Sequence, residues 1–178
     1  MEYLKRDDML KGLNLSGVGI EIGVKKGIFS RRILENTNLY MYLLDAWRYF
    51  DSGYIDIANA ENQTQIKRMG FTVNHLLPFE GRFTIIRDTS ENGSKIFQDN
   101  FFDFVYIDGN HSYKACLQDL ELWYPKLKSG GTFSGHDYTD MPPSIEVKRA
   151  VDEFASKHNL DIQKTVKGKF PSWFTTKP

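Results

Sequence analysis

Five short apolar runs, at 18–24, 39–44, 83–86, 104–107 and 132–134, each carry glycine or an acid at or just past the carboxyl end. Runs of this length read as strands rather than helices, and their lack of polar alternation predicts burial on both faces. Longer stretches with helical spacing lie between them. Leu4, Met9 and Leu13 mark a leading helix over 2–12, and Ile28, Phe29, Ile33 and Leu34 mark a second over 28–34. Further helices are predicted at 58–77, closed by Pro78 and Gly81, and at 94–97, 113–127 and 144–158. Lys128-Ser-Gly-Gly131 reads as a turn, and 161–166 with 172–176 as a last hairpin. Alternation of this kind predicts an α/β fold: a doubly wound, mostly parallel seven-stranded sheet with a C-terminal antiparallel hairpin.

A chain of 178 residues has room for one such core, so 1–178 is expected to be a single domain, with a leading helix in 1–16 and the core fold in 17–178. Hydrophobic residues at 40% and charged residues at 26% are those of a globular protein. Basic and acidic residues balance at 23 each, which leaves no global field to draw the chain to nucleic acid or to an anionic membrane. A single cysteine, Cys116, excludes an internal disulfide and is expected to be a small packed side chain. The charged N-terminal stretch does not resemble a secretory signal, and no run approaches the roughly 18–20 apolar residues that cross a bilayer. These features predict a cytoplasmic protein, as a monomer or a homo-oligomer.

Ligands of open parallel sheets bind beyond the carboxyl ends of the strands. Those ends are Glu21-Ile-Gly23 with Gly27, then Asp45-Ala-Trp47, Asp88-Thr-Ser90, Asp108-Gly-Asn-His111 and Gly135-His-Asp-Tyr138. Glycine at 23 allows a tight turn with close approach to a ligand, and Gly27 lets a helix start near the strand, although turn glycines alone would read the same way. Asp45 follows them at the roughly 20-residue spacing at which an acid accepts both hydroxyls of a ribose. A helix N-cap is its simpler alternative.

In this order and spacing the motifs GIEIGVKKG, LLDAW, IIRDTS, DFVYIDGNHSY and YPKLKSGGTFSGHDY resemble those of class I S-adenosylmethionine-dependent methyltransferases. The IDGxHSY and GHDY strand ends are most similar to the subgroup that includes natural-product and sugar O-methyltransferases. The resemblance implies a Rossmann-like sheet, S-adenosylmethionine as methyl donor, and a small-molecule acceptor, with a sugar or glycosylated metabolite preferred. It implies that Glu21, Gly23 and Gly27 form the first cofactor turn and that Asp45 holds the ribose. Ala46 and Trp47 would flank the adenine or ribose, Asp88 and Thr89 would meet the adenine, and Asp108 the methionine end. Ser90 is expected to cap a helix.

O-methylation of a hydroxyl requires removal of its proton, and histidine is the side chain suited to that near neutral pH. His111 and His136 are the candidate bases beside Asp108, with structural histidines that merely fix their loops as the alternative. His75 and His158, on helices away from this edge, read as structural. Asp108, His136 and Asp137 could instead hold Mg2+ or another divalent ion, which would acidify a bound hydroxyl. Asn110 and His136 stand where related metal-dependent enzymes carry acids, so both mechanisms stay open. Tyr113 is expected to pack, Tyr138 to pack or to border the acceptor, and the aromatic stretch from Trp47 to Tyr54 to form a lid with Gly53 as its flexible point. A dinucleotide-dependent oxidoreductase and a non-catalytic cofactor-binding module are the competing readings; the glycine spacing argues against the first.

Overall fold

The computed structural model describes residues 3–52, 54 and 58–178. Nine strands are described: β1 (Ser16–Ile22), β2 (Asn38–Asp45), β3 (Phe83–Arg87), β4 (Phe102–Ile107), β5 (Leu127–Gly135), β6 (Asp140–Met141), β7 (Ile145–Glu146), β8 (Gln163–Lys164) and β9 (Trp173–Thr176). The helices are α1 (Arg6–Gly12), α2 (Ile28–Asn36), α3 (Asn62–Leu76), α4 (Ser90–Ser94), α5 (Tyr113–Trp123) and α6 (Val147–His158). Seven strands form one sheet in the order β3-β2-β1-β4-β5-β9-β8, the first five parallel, β9 antiparallel to β5 and β8 antiparallel to β9. The expected Rossmann-like sheet and C-terminal hairpin are therefore present.

Each face of the sheet buries its own core. Ile20, Ile22, Val105, Ile107 and Phe133 pack under α5 and α6, while Met41, Leu43, Phe104 and Tyr106 pack under α1, α2 and α3. Alternate residues of one strand thus feed opposite cores, which is why the runs are apolar throughout. Phe102 breaks the alternation and lies with Val105 and Ile107. The β4–β5 register explains it: Phe102 pairs with Leu127 but Phe104 pairs with Thr132. The same jump absorbs the expected turn at 128–131, which the strand β5 includes, with Gly130 and Gly131 bonded to the backbone of Lys177.

Other boundaries also move. The helix expected at 94–97 is α4, four residues earlier, because Thr89 caps it by accepting from Asn92 N at 3.3 Å. Ser90 is therefore not the cap. The helix expected from 144 starts at Val147, and the preceding residues pair instead as the β6–β7 ribbon. Cys116 is buried as expected, and burial pushes its thiol up.

Phe133 is fully buried and packs its ring against Tyr124, Phe154 and Trp173. Truncation there leaves a cavity that neighbouring rings cannot close, so Phe133→Ala is expected to lower stability by about 3–5 kcal/mol. Urea unfolding would show a lower midpoint with an unchanged slope.

Candidate active site

Strand order reverses between β1 and β4, and a cleft of about 1050 Å³ opens there above the carboxyl ends. The two strands meet closely at that edge. Asp108 N donates to Ile22 O at 2.8 Å and Gly23 N to Leu44 O at 2.9 Å. Gly23 turns away at φ +90°, and a Cβ on it would lie 2.1 Å from the Asp108 carbonyl oxygen. Only glycine fits, so the chain leaves β1 without blocking the cleft.

Four of the carboxylates that line this opening, Asp45, Asp88, Glu21 and Asp119, are each held differently. Asp45 accepts from Lys25 N and Trp47 N, one oxygen each, both at 2.8 Å. That fixes the carboxylate plane while leaving lone pairs on both oxygens for further donors. Asp88 accepts from Asn92 Nδ2 and Thr89 N, bonds that hold it below its ordinary range. Glu21 is buried, and burial raises it from 4.5 to about 8 even though Ser30 Oγ donates to it at 2.5 Å. Asp119, on α5, is buried and raised to about 6, with Ser90 Oγ donating to it and Trp123 Nε1 donating to Ser90 in turn.

At the next strand end Asp137 lies between the two candidate bases. His136 Nδ1 is 2.8 Å from one of its oxygens and His111 Nε2 is 2.9 Å from the other. Asp108 stands further off, 3.6 Å from His111 Nε2 and 3.9 Å from His136 Nδ1. Burial opposes ionisation of Asp137, but the hydrogen bonds from His111 and His136 outweigh it and hold the group well below the usual carboxylate range. A neutral His136 that carries its proton on Nδ1, the nitrogen facing Asp137, has Nε2 as its acceptor nitrogen. The loop is tied down, since His136 N donates to Ile107 O and Glu146 N to His111 O.

Among the described residues, Asp108, His111 and Asp137 each bring one ligand atom within 4.8 Å of the others, the spacing of a cation site. His136 lies beside this group rather than in it. The donor set fits Mg2+ poorly, because that ion favours about six oxygen ligands in octahedral array. Two carboxylates and an imidazole suit a softer divalent ion, and the histidine nitrogens facing Asp137 could ligate only by giving up their close contacts with it.

Glu21, Gly23, Asp45, Ala46, Asp88, Thr89, Asp108, His111, His136 and Asp137 all line the one cleft. Gly27 and Trp47 stand behind its wall. A Cβ on Gly27 would lie 2.8 Å from Thr72 Cγ2, so this glycine serves the packing of α2 on α3. Trp47 is buried, with Nε1 donating to Lys25 O at 3.0 Å; it braces the turn and does not face the opening. Phe50, Ser52 and Tyr54 of the expected lid do line the cleft, while Gly53 lies outside the described residues. Tyr113 donates to Glu153 at 2.7 Å and Tyr138 to Asp152, both binding α6. His75 stacks on Phe71 and His158 packs against Phe154, as structural residues do.

Several lining residues gave no sequence signal. Arg6, Gln65, Arg68 and Asp119 reach the cleft from helices whose strand-end motifs say nothing of them. Arg68 is held there by Ala58 O at 2.6 Å.

The sheet order, the glycine turn and the acids at successive strand ends describe the fold of class I S-adenosylmethionine-dependent methyltransferases. Residues 20–138 match the methyltransferase domain family, and the chain belongs to it. Over 106 residues it is 30% identical to an uncharacterized protein of Acanthamoeba polyphaga mimivirus, a match that covers 58% of this chain and 42% of that protein. The chain thus spans less than half the length of that relative. An O-methyltransferase family protein from Burkholderia thailandensis superposes with a TM-score of 0.71 at 12% identity, over 96% of this chain and 55% of that one. The 1,6-didemethyltoxoflavin-N1-methyltransferase of Burkholderia thailandensis, solved with its substrate and S-adenosylhomocysteine, superposes with a TM-score of 0.65 at 13% identity, over 96% and 76% of the two chains.

Glu21 supplies a pH test. Its folded value of about 8 lies above its ordinary 4.5, so the native state holds a proton that the unfolded chain releases, and stability falls as pH rises between those values. Above the value of about 6 for Asp119, Glu21 dominates this effect among the raised carboxyls. Urea unfolding of the wild type is expected to lose up to about 1.4 kcal/mol more per pH unit in that window than Glu21→Gln does.

Proposed function

We propose that the protein transfers the methyl group of S-adenosylmethionine to a hydroxyl of a small molecule, with a sugar or glycosylated metabolite as acceptor class. The observation that carries this reading is the pairing of His111 and His136 on Asp137, at the rim of the cleft that Asp45, Asp88 and Asp108 also line. An amine with a lone pair can accept a methyl group without a base, whereas a hydroxyl needs one, and a carboxylate-held imidazole is the side chain suited to that role. Lys26, Arg48, Gln65, Arg68 and Gln118 make the rest of the lining rich in hydrogen-bonding groups, which suits a hydroxylated acceptor. Residues 1–178 are read as one catalytic domain, supported by a sheet that runs from Ser16 to Thr176.

The cofactor supplies an electrophilic methyl on a sulfonium, which is already a good leaving group. The chain's part is to bind, orient and deprotonate. Asp45, with its carboxylate plane fixed, accepts from the ribose hydroxyls. Ala46, Asp88 and Thr89 border the adenine, and Glu21, Gly23 and Asp108 the methionine end. His136 takes the acceptor proton at Nε2, while Asp137 holds the tautomer and stabilises the imidazolium. His111, on the other oxygen of Asp137, fixes that carboxylate. Should a divalent ion take part, Asp108, His111 and Asp137 are the residues to hold it, and it would acidify the acceptor hydroxyl.

Incubation with methyl-labelled cofactor and a pool of nucleotide sugars and glycosides is expected to give a product heavier by one methyl group. On that acceptor, His136→Ala should lower kcat by about 10²–10⁴-fold, the usual contribution of a general base. Calorimetry should find its affinity for S-adenosylhomocysteine unchanged. Activity should survive exhaustive chelation; its loss would replace the histidine mechanism with the ion-based one. Asp45→Ala is expected to weaken S-adenosylhomocysteine binding about ten- to a hundredfold, the worth of a charged hydrogen-bonding partner. No binding of S-adenosylhomocysteine by the wild type would overturn the reading.

A further inference from the structure

Arg6 brings a cation into the cleft beside two of its acids, Asp108 and Glu21. The helix α1 that carries it is anchored from the C-terminal side: Val166 N and Lys167 N donate to Tyr3 O and Leu4 O at 3.0 and 2.9 Å, and the Tyr3 ring lies 5.5 Å from that of Phe174. Arg6, the first residue of α1, lines the cleft. Its guanidinium sits 4.5 Å over the Phe29 ring and close enough to the Tyr106 hydroxyl to interact with it electrostatically; that hydroxyl is 2.9 Å from Ser172 Oγ. Stacking on Phe29 holds the group in position before a ligand arrives, which reduces the entropy lost on binding.

Arg6 Nη1 stands 3.8 Å from Asp108 Oδ2, beyond hydrogen-bonding distance. Each head therefore keeps capacity for a third group: the guanidinium has five N–H donors, and the carboxylate has several lone pairs. A cation and an anion set side by side in this way complement a zwitterion, whose carboxylate would turn to Arg6 and whose ammonium would turn to Asp108. S-adenosylmethionine ends in such an α-amino acid. An anionic acceptor is the competing occupant, but the groups around Arg6 argue for the cofactor. Tyr106, Asp108 and Glu21 belong to β1, β4 and their ends, beneath the Gly23 turn, whereas His136 and Asp137 stand one strand further out, beyond β5.

We propose that Arg6 is a cofactor-positioning residue that binds the α-carboxylate of the methyl donor, with Asp108 taking the α-ammonium. This assignment rests on the methyl-donor reading above. It also gives α1 a function, since the helix closes the methionine end of the site.

Calorimetry with two nucleosides separates the outcomes. S-adenosylhomocysteine carries the amino-acid end and 5′-methylthioadenosine lacks it. Arg6→Ala is expected to weaken the first about ten- to a hundredfold and to leave the second unchanged, with Arg6→Lys restoring part of the loss because it keeps the charge but not the fork. Equal weakening of both ligands would show a merely structural arginine and overturn the assignment. So would unchanged S-adenosylhomocysteine binding with a raised acceptor KM. The wild type provides a check that needs no folded variant: it should bind S-adenosylhomocysteine more tightly than the decarboxylated analogue, and equal affinity would sink the idea. If the wild type binds 5′-methylthioadenosine and S-adenosylhomocysteine not at all, the methyl-donor reading itself has failed.

Discussion

Everything at the candidate site depends on how closely β1 and β4 run at their carboxyl ends. Parallel pairing in register, Ile22 beside Ile107, puts Asp108 N on Ile22 O and brings the backbone of Gly23 against that of Asp108. No side chain can occupy that contact. The cleft therefore opens above two backbones rather than above two side chains, and the acids of five strand ends can share it. A sheet with the same composition but a β-carbon at 23 would have to part the central strands.

Electrostatics in the cleft follow from what each acid is given as a partner. Asp45 and Asp88 receive backbone and amide donors near solvent, Asp137 receives two imidazoles, and Glu21 receives one hydroxyl in a fully buried place. Hydrogen bonds to the charged form win at Asp137, and burial wins at Glu21. One cleft thus holds a firmly ionised carboxylate beside histidines and a carboxyl inclined to keep its proton beneath the glycine turn. Separated pKa values of this kind are what acid–base chemistry near neutral pH uses.

How much was legible in the sequence differs between strands and helices. Strand ends could be read because apolar runs stop where the sheet stops, and parallel strands with right-handed crossovers must bring those ends to one edge. Thus most of the residues singled out at those ends line the cleft. Trp47 and Gly27 could not be placed, since a residue after a strand end may turn into the opening or behind it, and only local packing against Lys25 and Thr72 decides. The lining residues from α1, α3 and α5 were illegible for the opposite reason. Their helices read as ordinary amphipathic elements, and which turn overhangs the cleft depends on docking.

By itself the sequence determined the class of fold, the strand ends that carry chemistry, and the need for glycine where two strands approach. These follow from periodicity and sterics, which act over a few residues. Only the tertiary structure decided that Asp137 would hold two histidines, that Ser90 would serve Asp119 instead of a helix end, and that Arg6 would stand beside Asp108 across about a hundred residues of chain. Such contacts join segments that share no period, and only the packing of the whole chain around the sheet brings them together.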